Sequence, residues 1–276
     1  MKLRVIGRGI LFFLVSFLIC FFLFYFLIPK SDSKVSLKEL KTKKISDFHY
    51  VAIGDSLTQG VGDSTEQGGF VPLLSLDVGN KYNVHVISHN FGVSGNTSQQ
   101  ILDRMNSQTK ITNQLKKAKL MTLTVGGNDV MAVIRKNLSH LSVSSFEKPS
   151  KNYQKRLSQI LTLARKDNPD LPIYVLGIYN PFYLNFPEMT QMQEVVDNWN
   201  EATKETTSNF KKVYFVPIND LLYKGIDGKE GVVQSSGSKT QVINDALFTG
   251  DHFHPNNTGY HIMSDAVMEK IIETRK

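Results

Sequence analysis

The sequence predicts one α/β domain built on a parallel sheet covered on both faces, with a membrane-spanning segment in front of it. Two observations carry the fold class. From His49 onward, short apolar runs rich in β-branched residues alternate with longer stretches of helical character, the pattern of successive βαβ units. Hydrophobic residues make up 41% and charged residues 21% of the 276, an ordinary globular balance, and no repeat or linker divides the domain.

The N-terminus comes first in the chain. Gly9 to Ile28 (GILFFLVSFLICFFLFYFLI) carries no charge over twenty residues, or about 30 Å of helix, the thickness of a bilayer core. Lys2, Arg4 and Arg8 precede it, so the positive-inside rule places residues 1–8 in the cytoplasm and everything after Pro29 outside. Residues 1–29 thus read as a cytoplasmic N-terminus and single-pass anchor. A cleaved signal peptide would have a shorter apolar core and a small-residue cleavage site, and Ile28-Pro29-Lys30 offers neither. Cys20 is preceded by Ile19 and followed by Phe21-Phe22, which does not suit lipoprotein cleavage. It is also the only cysteine, so the exported domain has neither a disulfide nor a thiolate site. That fits a bacterial envelope, as do sequons at Asn96 and Asn256 inside candidate site loops, where glycans would obstruct chemistry.

The formal charge is +7. Residues 1–30 hold four bases and no acid, which leaves 28 bases against 25 acids, or +3, for residues 31–276. No dense Lys/Arg stripe occurs there, and a nucleic-acid partner is not expected. Residues 30–47 (KSDSKVSLKELKTKKISD) read as a polar stalk, and 48–276 as the domain. Strands are expected at Tyr50–Ile53, Val84–Ser88, Leu120–Val125, Ile173–Ile178 and Val213–Val216. Helices are expected at about 69–79, 97–117, 151–167, 188–209 and 257–274. The Gly- and Ser-rich segment 225–246 reads as a surface insertion.

Ligands of open parallel sheets bind at the carboxyl ends of the strands, so the residues just after each run matter most. Ser56, in Gly54-Asp55-Ser56-Leu57, stands on a tight strand-to-helix turn, where a hydroxyl is well placed as a nucleophile; an isolated Asp-Ser is equally a turn cap. In Gly92-Val93-Ser94-Gly95-Asn96-Thr97, the Gly95 N–H can donate to an oxyanion; alone, it is a loop glycine before a capped helix. In Gly126-Gly127-Asn128-Asp129, the Asn128 amide can donate to the same oxyanion or cap a short helix. Asp251, three residues before His254, can accept from its Nδ1–H and leave Nε2 free as a base. His252 is the competing base, and a His252/His254 metal pair lacks supporting ligands.

Their joint order is more specific than any one of them. These four blocks resemble those of the SGNH hydrolases, also called GDSL lipases or esterases, and the resemblance covers roughly residues 48–274. It implies a three-layer α/β/α sandwich with a central parallel sheet of about five strands, flavodoxin-like in kind. It further implies Ser56 as nucleophile, His254 as base and Asp251 as its orienting carboxylate, with an oxyanion hole formed by Ser56, Gly95 and Asn128 and no cofactor or metal. The Gly-x-Ser-x-Gly elbow of α/β-hydrolases is absent. Ser-x-x-Lys at Ser31–Lys34 and Ser145–Lys148 lacks its companion motifs.

The expected activity is hydrolysis of a carboxylic ester through an acyl-enzyme, outside a bacterial membrane. The anchor suggests a lysophospholipid or other lipid ester, with Phe182, Tyr183, Leu184 and Phe186 as candidate walls of an acyl groove. An O-acetylesterase acting on cell-wall glycans is the alternative substrate reading. A non-catalytic envelope scaffold is the alternative of another class.

Overall fold

A computed structural model describes residues 2–27, 45–136, 141–181, 183, 190–223, 232–236, 239–243 and 245–275. Residues 28–44 of the anticipated anchor and stalk lie outside these, as do Phe182, Leu184, Phe186 and parts of the 225–246 insertion. The chain divides into two compact units, Met1–Lys44 and Ile45–Lys276.

The first unit contains helix α1 (Lys2–Leu27). Its Gly7–Leu27 portion has a mean hydropathy of 2.9 and is long and apolar enough to cross a membrane. Its length and composition are compatible with a membrane anchor or a signal sequence.

The second unit alternates strands and helices. Its first half runs β1 (Asp47–Gly54), α2 (Ser56–Gln59), α3 (Phe70–Tyr82), β2 (His85–Gly92), α4 (Ser98–Ser107), α5 (Thr109–Leu115), β3 (Leu120–Thr124) and α6 (Gly127–Lys136). A 3-10 turn at Val143–Phe146 leads into α7 (Glu147–Ala164) and β4 (Ile173–Leu176). Then follow α8 (Thr190–Ser208), β5 (Val213–Val216), α9 (Asn219–Tyr223), β6 (Val232–Ser236), β7 (Lys239–Ile243) and α10 (Asn257–Thr274).

Strands β1 to β5 pair in the order β2-β1-β3-β4-β5, all parallel, the flavodoxin-like order. Alternation along β1 divides the core. Val51 and Ile53 pack in one layer with Met121, Leu123, Val175 and the apolar faces of α4, α5, α7 and α8. Phe48, Tyr50 and Ala52 pack in the other with α3, Leu222 of α9 and α10. Each helix supplies one stripe: Tyr153, Leu157, Ile160, Leu161 and Ala164 in α7, and Tyr260, Met263, Val267 and Ile271 in α10, spaced at the helical period. This is the expected three-layer sandwich.

Three elements differ from the sequence reading. The helix expected over 97–117 breaks at Gln108, whose backbone is extended (φ −101°, ψ 98°). Unbroken, it would carry Ile111 about 120° around from Met105; the break brings both into the core. Strand β2 runs to Gly92 because backbone pairing with β1 continues to Gly54↔Gly92, although an edge strand shows little apolar alternation. Strand β4 stops at Leu176, since the Ile178 N–H and carbonyl turn to the Asn200 side chain (2.8 and 2.9 Å). Within the expected insertion, β6 and β7 pair as an antiparallel hairpin.

Because β2 and β3 flank β1, the strand order reverses between β1 and β3. A crevice opens at the carboxyl ends there, and the chain places Ser56 and Asn128 beside it.

Candidate active site

Ser56 opens α2 directly after β1. The preceding Asp55 caps that turn, its Oδ1 accepting from the Leu57 N–H (3.1 Å) and the Thr124 hydroxyl (2.8 Å). The Thr124 and Thr58 hydroxyls stand 2.8 Å apart, so β1, α2 and β3 are tied beneath the serine. Only glycine fits at Gly54, where a Cβ would lie 2.2 Å from Thr124 Oγ1. Burial pushes the Asp55 carboxyl up, against the hydrogen bonds from Thr124 and Leu57 and the field of nearby His254. Ser56 is buried to 6% exposure, and its hydroxyl has no hydrogen-bond partner among the described residues.

The loop after β2 is fastened to this turn. Gln59 Oε1 accepts from the Ser94 N–H (2.6 Å), and Asn90 Nδ2 donates to the Thr58 carbonyl (2.6 Å). Gly95 sits exposed with φ +78° and open space around it, a conformation few residues but glycine adopt. Asn128 Nδ2 donates to the Asn96 carbonyl (3.1 Å). An amide has two N–H donors, so one remains for a ligand.

Arg104 binds these loops together. Its Nε donates to Asn96 Oδ1 (2.7 Å), Nη1 to the Phe91 carbonyl (3.1 Å) and Nη2 to the Gly54 carbonyl (3.0 Å). Behind it, buried Asp129 accepts from the Ser98 N–H (2.8 Å), the Ser98 hydroxyl (2.6 Å) and Arg156 (3.1 Å). That joins α4, α6 and α7. The sequence reading missed both groups. One signal was present: helical side chains lean toward the N-terminus, so an arginine on the second turn of α4 reaches back over the loop before it.

On the 251–256 loop, Asp251 Oδ2 lies 2.6 Å from His254 Nδ1, and Oδ1 accepts from the Phe253 and His254 N–H groups (2.9 and 3.0 Å). Desolvation alone would raise the Asp251 carboxyl. The hydrogen bonds from His254 and Phe253 outweigh it and hold the group below the usual carboxylate range. His252, the competing base, is exposed in a left-handed conformation (φ +52°). Its side chain has no hydrogen-bond partner among the described residues; Asp251 serves His254 instead. The Tyr179 hydroxyl donates to the Phe253 carbonyl and so ties this loop to the end of β4.

A cavity of about 40 Å³ lies between these elements, lined by Ser56, Leu57, Asn128, Ile178, Tyr179 and Phe253 among others. The fold thus brings Ser56 and Asn128 to one cavity and carries the Asp251–His254 pair on the loop whose Phe253 closes it. Gly95 stands outside the lining, one residue from the Asn96 that holds Asn128. No hydrogen bond joins Ser56 to His254; such bonds commonly tighten only when substrate is bound.

A flavodoxin-like sheet with a buried serine and a carboxylate-paired histidine at its carboxyl edge is an arrangement suited to ester hydrolysis. Residues 52–262 match the GDSL-like Lipase/Acylhydrolase family, and the chain belongs to that family. It is 30% identical over 244 residues to the uncharacterized protein YpmR of Bacillus subtilis (strain 168), covering 87% of each chain. It is 26% identical over 222 residues to the spore germination lipase LipC of Bacillus licheniformis, covering 79% of this chain and 93% of that protein. Among solved structures, the lipase Lip_vut3 from a goat rumen metagenome superposes with a TM-score of 0.66 at 25% identity, over 80% of this chain and 96% of that one. The protein is accordingly an enzyme, a carboxylic ester hydrolase.

Proposed function

We propose that the protein hydrolyses carboxylic esters through an acyl-enzyme on Ser56, tethered outside a bacterial membrane by α1. The observation that carries this reading is the 2.6 Å contact of Asp251 Oδ2 with His254 Nδ1, on a loop that shares a cavity with Ser56 and Asn128. With Nδ1 engaged, Nε2 of His254 is the ring's free base. It takes the Ser56 proton as Oγ attacks the ester carbonyl. The Ser56 and Gly95 N–H groups and the Asn128 amide donate to the oxyanion. Collapse of the intermediate expels the alcohol, which receives the proton from His254; water then repeats the sequence and releases the acid.

Two substrate readings differ in acyl length. The lipase names of two relatives favour a lipid ester such as a lysophospholipid. The small cavity beside Ser56, about 40 Å³, favours a short acyl group such as the O-acetyl ester of a glycan. Turnover of p-nitrophenyl acetate against the decanoate separates the two. Ser56→Ala should abolish turnover of both; undiminished turnover in that variant excludes the mechanism.

A further inference from the structure

The loops at the amino edge of the sheet, opposite Ser56, gather cations from distant parts of the sequence. Lys81 lies in the last turn of α3, Lys117 and Lys119 lead into β3, Lys166 follows α7, Lys211 precedes β5 and Arg275 caps α10. All six are exposed. The parallel order of the sheet sends all six positions to one edge. Lys119 Nζ donates to the Asp47 carbonyl (2.9 Å) and stands 6.0 Å over the Phe48 ring. Arg275 covers Phe48 and Tyr82 at 5.2 and 4.7 Å. The rim's carboxylates are already engaged: Asp167 by Lys116, Asp170 by Lys212 and Asp47 by His85 (3.2, 2.7 and 3.1 Å). Among the described residues, none of the six cations has a carboxylate within 4.0 Å.

The chain also enters the domain at this rim. Ile45 precedes β1, whose first residue Asp47 pairs with His85. The sequence between Lys30 and Lys44 carries six lysines against Asp32 and Glu39. Eight residues of β1 put the rim roughly 25 Å from Ser56.

We propose that this rim docks on anionic phospholipid headgroups at a membrane surface, with the Ser56 edge on the side of the domain away from that surface. The inference rests on the membrane reading of α1 and is independent of the ester chemistry. Headgroup phosphates supply the missing anions, and the attraction acts within a Debye length of about 8 Å. Substrate then reaches the site from the aqueous side rather than from the leaflet beneath.

The test uses the full chain reconstituted into vesicles of phosphatidylcholine alone or mixed with phosphatidylglycerol. Flotation reports insertion, and amine acetylation followed by mass spectrometry reports exposure. Phosphatidylglycerol should protect Lys117, Lys166 and Lys211 by roughly fivefold, reversed at ~0.5 M salt, while exposed Lys151 and Lys155 label equally in both lipids. Combining K117E, K166E and K211E should expose Lys81 and Lys119 again and leave p-nitrophenyl acetate turnover unchanged. Flotation with equal labelling in both lipids overturns the docking and leaves the anchor standing. Protection by soluble polyphosphate but not by phosphatidylglycerol overturns it in favour of a polymer. Failure to float with either lipid overturns the anchor and the docking together, without touching the esterase reading.

Discussion

At the carboxyl edge of the sheet, polar groups answer one another: Asp55 with Thr124, Asn96 with Asn128 and Arg104, Asp251 with His254. At the amino edge, cations face water and only some have partners. The first arrangement suits chemistry, because groups held by neighbours need little reorganisation as charge develops. The second suits long-range attraction, which needs charge but no fixed geometry. Substitutions at the carboxyl edge should therefore act on kcat, and those at the amino edge on where the enzyme sits.

The largest separation is expected at the base. His254→Ala should lower kcat by ~10⁴-fold or more, while His252→Ala, two residues away, stays close to wild type in the same assay. An equal loss in both would erase the distinction that Asp251 makes between them. Next, Asn128→Ala should cost about 10²–10³ in kcat with KM little changed; a loss confined to KM would move Asn128 from the oxyanion to ground-state binding.

Arg104→Met tests whether the loops at the carboxyl edge are held from behind. It removes a guanidinium that satisfies three oxygens. At about 1.5–3 kcal/mol for a charged hydrogen bond, it should lower Tm by ~5–10 °C in a domain of this size, together with kcat. Tm falling while kcat holds would limit Arg104 to stability. The smallest effect concerns pH. The folded Asp251 carboxyl titrates below its unfolded value, so its stabilising contribution is complete above the ordinary carboxylate pKa of ~3.9. It fades as pH falls through the lower folded value. Melting curves of wild type and Asp251→Asn should differ at pH 6 and draw together as pH falls below about 3.9.

The two edges were unequally legible in the sequence. The apolar runs of β1 and β3 announced the buried strands. The blocks around Ser56, Gly95, Asn128 and His254 are local, so their residues could be picked out before the fold was known. Arg104, Tyr179 and the Asp129–Arg156 pair could not, because their partners lie 8 to 74 residues away in sequence and meet only through packing. The amino-edge cations escaped for the same reason. They arrive singly from turns between helix and strand, and only the parallel topology, which sends every such turn to one side, assembles them. The break at Gln108 was hidden because Ile101, Met105, Ile111 and Leu115 lie near helical spacing, while the polar stretch between them gave no sign of where the phase changes.

The central claim is that Ser56 is a nucleophile activated at the carboxyl edge. Incubating the intact protein with a fluorophosphonate and mapping the adduct by mass spectrometry tests it most directly. The expected result is a single stoichiometric adduct on Ser56, lost in His254→Ala and kept when the amino-edge lysines are reversed in charge. A folded protein that takes no label, or takes it on another serine, would contradict the account.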